Sequence, residues 1–117
     1  MTYFQRRPPV VKAKTIRSAA WLLAALAVTA TAAPDAGRQK ELVHLVRQDC
    51  GSCHGMILLG GLGPALTPAA LKDKPVEGLA ATILGGRPGT PMPPWKQFLT
   101  EAEADWIVQQ LLVGFPQ

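Results

Sequence analysis

Cysteine is scarce in this chain. Its two cysteines, Cys50 and Cys53, cannot build the multi-disulfide framework that holds many small exported domains together. A single bridge between them would close too short a loop to stabilise much through chain entropy. Long apolar runs are lacking as well: the run at residues 19 to 28 covers about ten residues, half of what a helix needs to cross a bilayer. No stretch alternates apolar and polar residues well enough to read as a strand, so sheet folds are excluded. Acidic residues are absent from the first 32 positions, where Arg6, Arg7, Lys12, Lys14 and Arg17 lead into the apolar run.

A basic head, a short apolar middle and the small-residue tail Thr29-Ala30-Thr31-Ala32-Ala33 have the form of an export signal. Residues 1 to 32 are therefore expected to be a signal peptide and residues 33 to 117 a single domain, with an uncleaved anchor as the rival. Cleavage after Ala32 puts Ala30 and Ala32 at the small-residue positions. Arg6-Arg7 invites a twin-arginine reading, but Pro8-Pro9 follow where that signal wants a polar and then an apolar residue, so export as an unfolded chain is preferred. The whole chain has 12 basic and 8 acidic residues; beyond residue 32 seven basic and eight acidic remain, a net charge of −1. Those seven, Arg38, Lys40, Arg47, Lys72, Lys74, Arg87 and Lys96, form no patch, and nucleic acid is not an expected partner.

A domain of about 85 residues buries enough apolar surface for only a thin margin over chain entropy, so something further must hold it. Residues 38 to 49 read as a helix, with Leu42, Leu45 and Val46 at i, i+3 and i+4. Residues 55 to 67 are glycine-rich and lack a period. Thr67 and Pro68 suit the start of a short helical turn ending near Leu71. A helix from Pro75 carries Val76, Leu79, Ala80 and Ile83 on one face and ends before Gly85-Gly86. Residues 87 to 96, with four prolines, are expected to be stiff and extended. The last helix opens with Thr100 and Glu103 as a capping box and carries Ala104, Ile107, Val108 and Leu111 as its stripe. The expected architecture is all-α, with three main helices.

The strong motif is Cys50-Gly51-Ser52-Cys53-His54. In a C-x-x-C-H the two thiols add to the two vinyl groups of one porphyrin, and the next residue sets an imidazole under the iron. One covalent haem c at Cys50, Cys53 and His54 is thus the expected cofactor, and it supplies the missing core. A thioredoxin-like pair would need a strand before the motif and a central sheet. A zinc site would need four ligands, and Cys50, Cys53, His54 and the distant His44 make a poor set.

A ligating imidazole usually gives its other ring proton to a carbonyl, and Pro64, ten residues on, offers one; the rival is that Gly63-Pro64 is only a turn. Met56, Met92 and His44 are the candidates for the sixth ligand. Met56 follows His54 too closely to reach the opposite face, and His44 suits an exposed helical position. Met92, in Pro91-Met92-Pro93-Pro94, is preferred because a stiff chain would hold its weakly ligating thioether in place; a core methionine is the rival. Iron closed on both sides transfers electrons and offers no substrate position, so no enzyme activity is expected. Arg87 is a candidate partner for a haem propionate, against an exposed cation, and Trp95 a candidate to pack on the porphyrin edge. Trp106 is expected where the first and last helices meet, and Leu58, Leu62, Leu66, Leu79 and Ile83 as haem-pocket wall or ordinary core.

Over residues 37 to 113 the chain resembles the single-haem class I cytochromes c, in the helix into the motif, the Gly63-Pro64 pair, Gly85-Gly86-Arg87, Met92 and the tryptophan-bearing last helix. More narrowly, residues 50 to 68 and 86 to 95 are similar to the small periplasmic cytochrome encoded beside the haem c and haem d-containing nitrite reductase of denitrifying bacteria. The resemblance implies the class I fold around one haem c, iron held between the motif histidine and a later methionine, and a periplasmic location. It implies one-electron exchange with periplasmic redox partners: nitrite reductase and an upstream quinol-linked donor. A role in making or inserting that reductase's non-covalent haem, and generic respiratory shuttling, are the alternatives. The chain lacks the lysine-rich haem rim of the mitochondrial-like branch. N-terminal sequencing of the exported protein should begin at Ala33; a product still containing Trp21 would refute cleavage.

Overall fold

The computed structural model describes residues 32–117, and the expected signal segment, apart from Ala32, lies outside the described residues. The helix expected at 38 to 49 begins earlier and runs further. Helix α1 is Ala36–Leu45, started by Asp35, whose carboxylate accepts from the Gly37 and Arg38 amides at 2.9 and 3.0 Å. An aspartate before a helix is an ordinary cap, and it starts the helix two residues before the expected position 38. The chain then passes without a break through a π-helical turn, Val46–Cys50, into α2, Gly51–His54. Such turns carry one extra residue and favour functional positions; this one resets the register immediately before the first cysteine.

Helix α3, Pro68–Leu71, is capped by Thr67, with Pro68 in its first turn. Helix α4, Val76–Gly85, starts after Pro75 and includes Gly85, one residue past the expected end. Helix α5, Glu101–Val113, carries both halves of the capping box: the Glu103 amide donates to Thr100 Oγ1 at 3.2 Å and the Thr100 amide to Glu103 Oε2 at 2.7 Å. Strands are absent among the described residues, and no helix there is long and apolar enough to cross a membrane.

The stripes named above meet in one core of Leu42, Val46, Leu58, Leu71, Leu99, Ile107, Leu111 and Phe115, while Ala80, Ala104 and Val108 join α4 to α5. Trp106, half-buried, packs against the main core alongside Trp95. Leu58 is core, 3% exposed, whereas Leu62 is neither core nor covered wall: it is 91% exposed. Leu62 sits between two glycines in the same loop whose Leu58 side chain is buried.

The two ends of the domain are tied by Arg38, whose guanidinium bridges Glu103 on α5 and also reaches Glu41 at 2.8 Å. The Arg38 guanidinium, helped by the Thr100 amide and hydroxyl, holds the Glu103 carboxyl below the usual carboxylate range. A depressed carboxylate contributes stability that is complete above its unfolded value and is lost as pH falls through its folded one. Glu103→Gln, which can keep the capping box but not the ion pair, should therefore lower Tm at neutral pH, for a loss of about 1 kcal/mol. Thermal melts of the holoprotein should show that difference closing as pH falls below the ordinary carboxylate range; a gap of constant size would refute the assignment.

Candidate haem site

A cavity of about 780 Å³ opens between the motif, α4 and the proline-rich loop. Cys50, Cys53 and His54 of the motif and Met92, Pro93 and Trp95 of the loop line it, and Val46, Leu66, Leu71, Leu79, Ile83, Ile107, Val108 and Leu111 supply apolar wall. Of the five hydrophobics expected as wall or core, Leu66, Leu79 and Ile83 face the cavity and Leu62 stands at its mouth, while Leu58 lies in the core behind. Met56 is 57% exposed and His44 exposed, and neither lines the cavity.

His54 ends α2, and Gly55 turns the chain away. The loop folds back at once: the Gly60 amide donates to the His54 carbonyl and the Gly63 amide to the Cys53 carbonyl, both at 2.8 Å. Helix-end carbonyls without intrahelical partners are thereby satisfied. The return brings the Pro64 carbonyl to 2.7 Å from His54 Nδ1. A carbonyl only accepts, so Nδ1 carries the proton and Nε2 is left with its lone pair free. Gly63 makes the approach possible, because a Cβ there would fall 2.7 Å from Cε1 and 2.8 Å from Nδ1 of the ring.

The methionine loop hangs from the end of α4. The Trp95 and Lys96 amides donate to the Ile83 and Leu84 carbonyls at 3.1 and 3.2 Å, and the Arg87 amide to the Met92 carbonyl at 3.1 Å. Gly86, at φ 68°, lies so close beneath Pro93 and Pro94 that a Cβ would be 2.7 Å from their backbone. The loop is extended only in part. Residues 87 to 90 form a tight turn at Pro88-Gly89, closed by the Thr90 amide on the Arg87 carbonyl at 3.0 Å and by Thr90 Oγ1 on the same oxygen at 2.7 Å. A Pro-Gly pair in the two central positions favours a turn over continued extension. The Arg87 side chain is exposed at the cavity rim, and Trp95 is half-buried, its ring 5.8 Å from that of Phe98 in an edge-to-face pair.

These residues fit a covalent haem. The cavity size lies within the usual range for cofactor sites, both thiols are free, and the walls are apolar. Burial, with Asp49 next, pushes the Cys50 thiol up to about 11, so the pocket favours uncharged sulfur, as in a thioether. No cluster of three His, Cys, Asp or Glu side chains suited to a metal ion occurs among the described residues.

A family model described as cytochrome c oxidase, cbb3-type, subunit III matches residues 37–110. Cytochrome c55X of Pseudomonas aeruginosa is 63% identical over 81 residues, 69% of this chain and 68% of its own. The chain belongs to the cytochrome c55X family, within that broader group of c-type cytochrome domains. The solved structure of a c-type cytochrome NirC superposes with a TM-score of 0.68 at 61% identity, covering 68% of this chain and 94% of that one. A dihydro-haem d1 dehydrogenase of Pseudomonas aeruginosa is 40% identical over 73 residues, 62% of this chain but 15% of the enzyme. As a cytochrome c55X family member the protein is a periplasmic class I cytochrome with an all-α fold, its two cysteines placed for haem c, and an electron carrier rather than an enzyme.

The two neighbouring glycines at the end of α4 give a sharp test of the loop geometry. Gly85 has nothing within 4 Å of an added Cβ, so Gly85→Ala should stabilise the holoprotein by about 0.4–1 kcal/mol. Gly86→Ala should destabilise it by about 1–3 kcal/mol and displace Met92. Equal effects on Tm would refute this account of the loop.

Proposed function

We propose that this domain is a one-electron carrier whose haem would be held by Cys50 and Cys53 and ligated by His54 Nε2 and Met92 Sδ, and that it passes electrons to the nitrite reductase of denitrification. The observation that carries the ligand assignment is the 2.7 Å contact of His54 Nδ1 with the Pro64 carbonyl, which leaves Nε2 free beside a cavity that Met92 borders from a separate loop. The haem, once attached, supplies a reversible one-electron iron couple. Pro64 fixes the tautomer and plane of the imidazole, Gly86 and the prolines hold the thioether, and the apolar wall excludes water. Arg87 at the rim would meet a propionate, and Trp95 would cover the porphyrin edge.

Donation to nitrite reductase is supported by the likeness of residues 50 to 68 and 86 to 95 to the small cytochrome encoded beside that enzyme. A quinol-linked donor lies upstream in this reading, and residues 1 to 32 are removed on export. A second reading, participation in making the reductase's non-covalent haem, is favoured by the 40% identity to a stretch of the dihydro-haem d1 dehydrogenase.

The oxidised holoprotein should show the far-red charge-transfer band of an iron–thioether bond, and Met92→Ala should abolish it and open the reduced iron to carbon monoxide. A wild-type protein lacking the band, or a variant keeping it, would refute Met92. Stopped-flow mixing of the reduced protein with oxidised nitrite reductase should show rapid electron transfer. If transfer is slow and a deletion strain makes reductase protein lacking its non-covalent haem, the assembly reading replaces donation.

A further inference from the structure

Arg47 lies in the π-helical turn, three residues before Cys50, and its guanidinium is committed to main-chain carbonyls. Nε donates to the Pro116 carbonyl at 3.0 Å, Nη1 to that of Met56 at 3.2 Å, and Nη2 to that of Phe115 at 3.1 Å and also to that of Pro116. Its Cζ stands 5.6 Å from the centre of the Phe115 ring, and Phe115 is itself buried in the main core. Among the described residues the salt bridges are those of Arg38, so the charge of Arg47 is spent on backbone oxygens. A rigid fork of five N–H donors can hold two chain segments at a fixed separation, which the single ammonium of a lysine cannot.

The segments held here are the C-terminal tail and the root of the loop that leaves His54. Met56 is two residues beyond His54, and the loop it begins is the one whose far end returns the Pro64 carbonyl to Nδ1. We infer that Arg47 is a positioning residue for His54: braced against the tail at Phe115 and Pro116, it fixes Met56 and, through the 55 to 64 loop, the hydrogen bond from Nδ1 to Pro64. That bond makes the imidazole a stronger donor to iron, which favours the ferric state. Loosening it raises the reduction potential. The inference rests on the ligand role proposed for His54, and the absorption spectrum tests that role separately.

The experiment uses haem-loaded protein as wild type, Arg47→Lys, a chain ending at Gly114, and the two changes combined. Each variant should keep the low-spin visible spectrum, which shows His54 still ligating, while its midpoint potential moves upward. In the reduced state the His54 Nδ1 proton, followed by NMR, should exchange with solvent about tenfold faster, the effect expected of losing roughly one net hydrogen bond. The combined variant should move no further than the truncation alone, because the fork has then lost its brace. Where the truncated chain fails to fold, Arg47→Lys decides by itself. A lower Tm with unchanged potential and unchanged proton exchange would make Arg47 a stability latch and overturn the inference, as would additive shifts in the combined variant.

Discussion

The structure depends on one close approach, that of the Gly63-Pro64 peptide to the His54 ring. For the carbonyl to reach Nδ1 at 2.7 Å, ten residues must leave the end of a helix and come back over it. Two hydrogen bonds on the return, Gly60 to His54 and Gly63 to Cys53, use carbonyls that the helix end would otherwise leave without partners. The loop also requires Leu58 to adopt a left-handed backbone, φ 61°, at a cost of about 1–2 kcal/mol for a residue with a Cβ. Burying the leucine side chain to 3% exposure returns about 1.5–3 kcal/mol, so the strained position is held by the core beneath it. A helix end, a strained leucine and a glycine thus act together to fix one imidazole.

The methionine loop, which also lines the cavity, is built by the same device. There the free carbonyls are those of Ile83 and Leu84 at the end of α4, and the amides that meet them belong to Trp95 and Lys96. Prolines at 91, 93 and 94 have no amide proton to compete for those acceptors, so the pairing has a single register. Met92 is placed because the residues on both sides of it are committed: Arg87 binds its carbonyl, and Trp95 is anchored to the helix. Each candidate ligand therefore hangs from a helix C-terminus, and each loop contains glycine where a methyl group would collide with what lies beneath: Gly55, Gly61 and Gly63 behind His54, and Gly86 under the prolines.

Much of this was legible because it is local. The C-x-x-C-H spacing, the Gly63-Pro64 pair, the Thr100 and Glu103 capping box and the stripe of α5 each carry their meaning within a few residues. The Asp35 cap was equally local and follows from the rule that reads Thr100. The π turn at Val46–Cys50 was not legible, since its hydrophobic period differs from that of an α-helix by a single residue. Nor were the long-range partners: that Arg38 meets Glu103 and Arg47 meets Met56, Phe115 and Pro116 depends on how distant parts of the chain are brought together by the fold. The exposure of Leu62 shows the converse limit, because an apolar residue in a glycine loop carries no period from which a buried face can be read.

The same pocket also bears on the direction of the redox equilibrium. The cavity walls are mostly apolar, so the site disfavours added charge, and both ligands proposed above are neutral. Against two neutral ligands the ferric centre carries one more positive charge than the ferrous one, and low-dielectric walls make that charge costly. Asp49 beside Cys50 offsets part of the cost, and the Pro64 carbonyl, by strengthening the imidazole, offsets a further part. Thioether ligation acts the other way and raises the potential. The hydrogen bond from His54 to Pro64 is thus one contribution to that balance, and the contacts that hold the 55 to 64 loop bear on it.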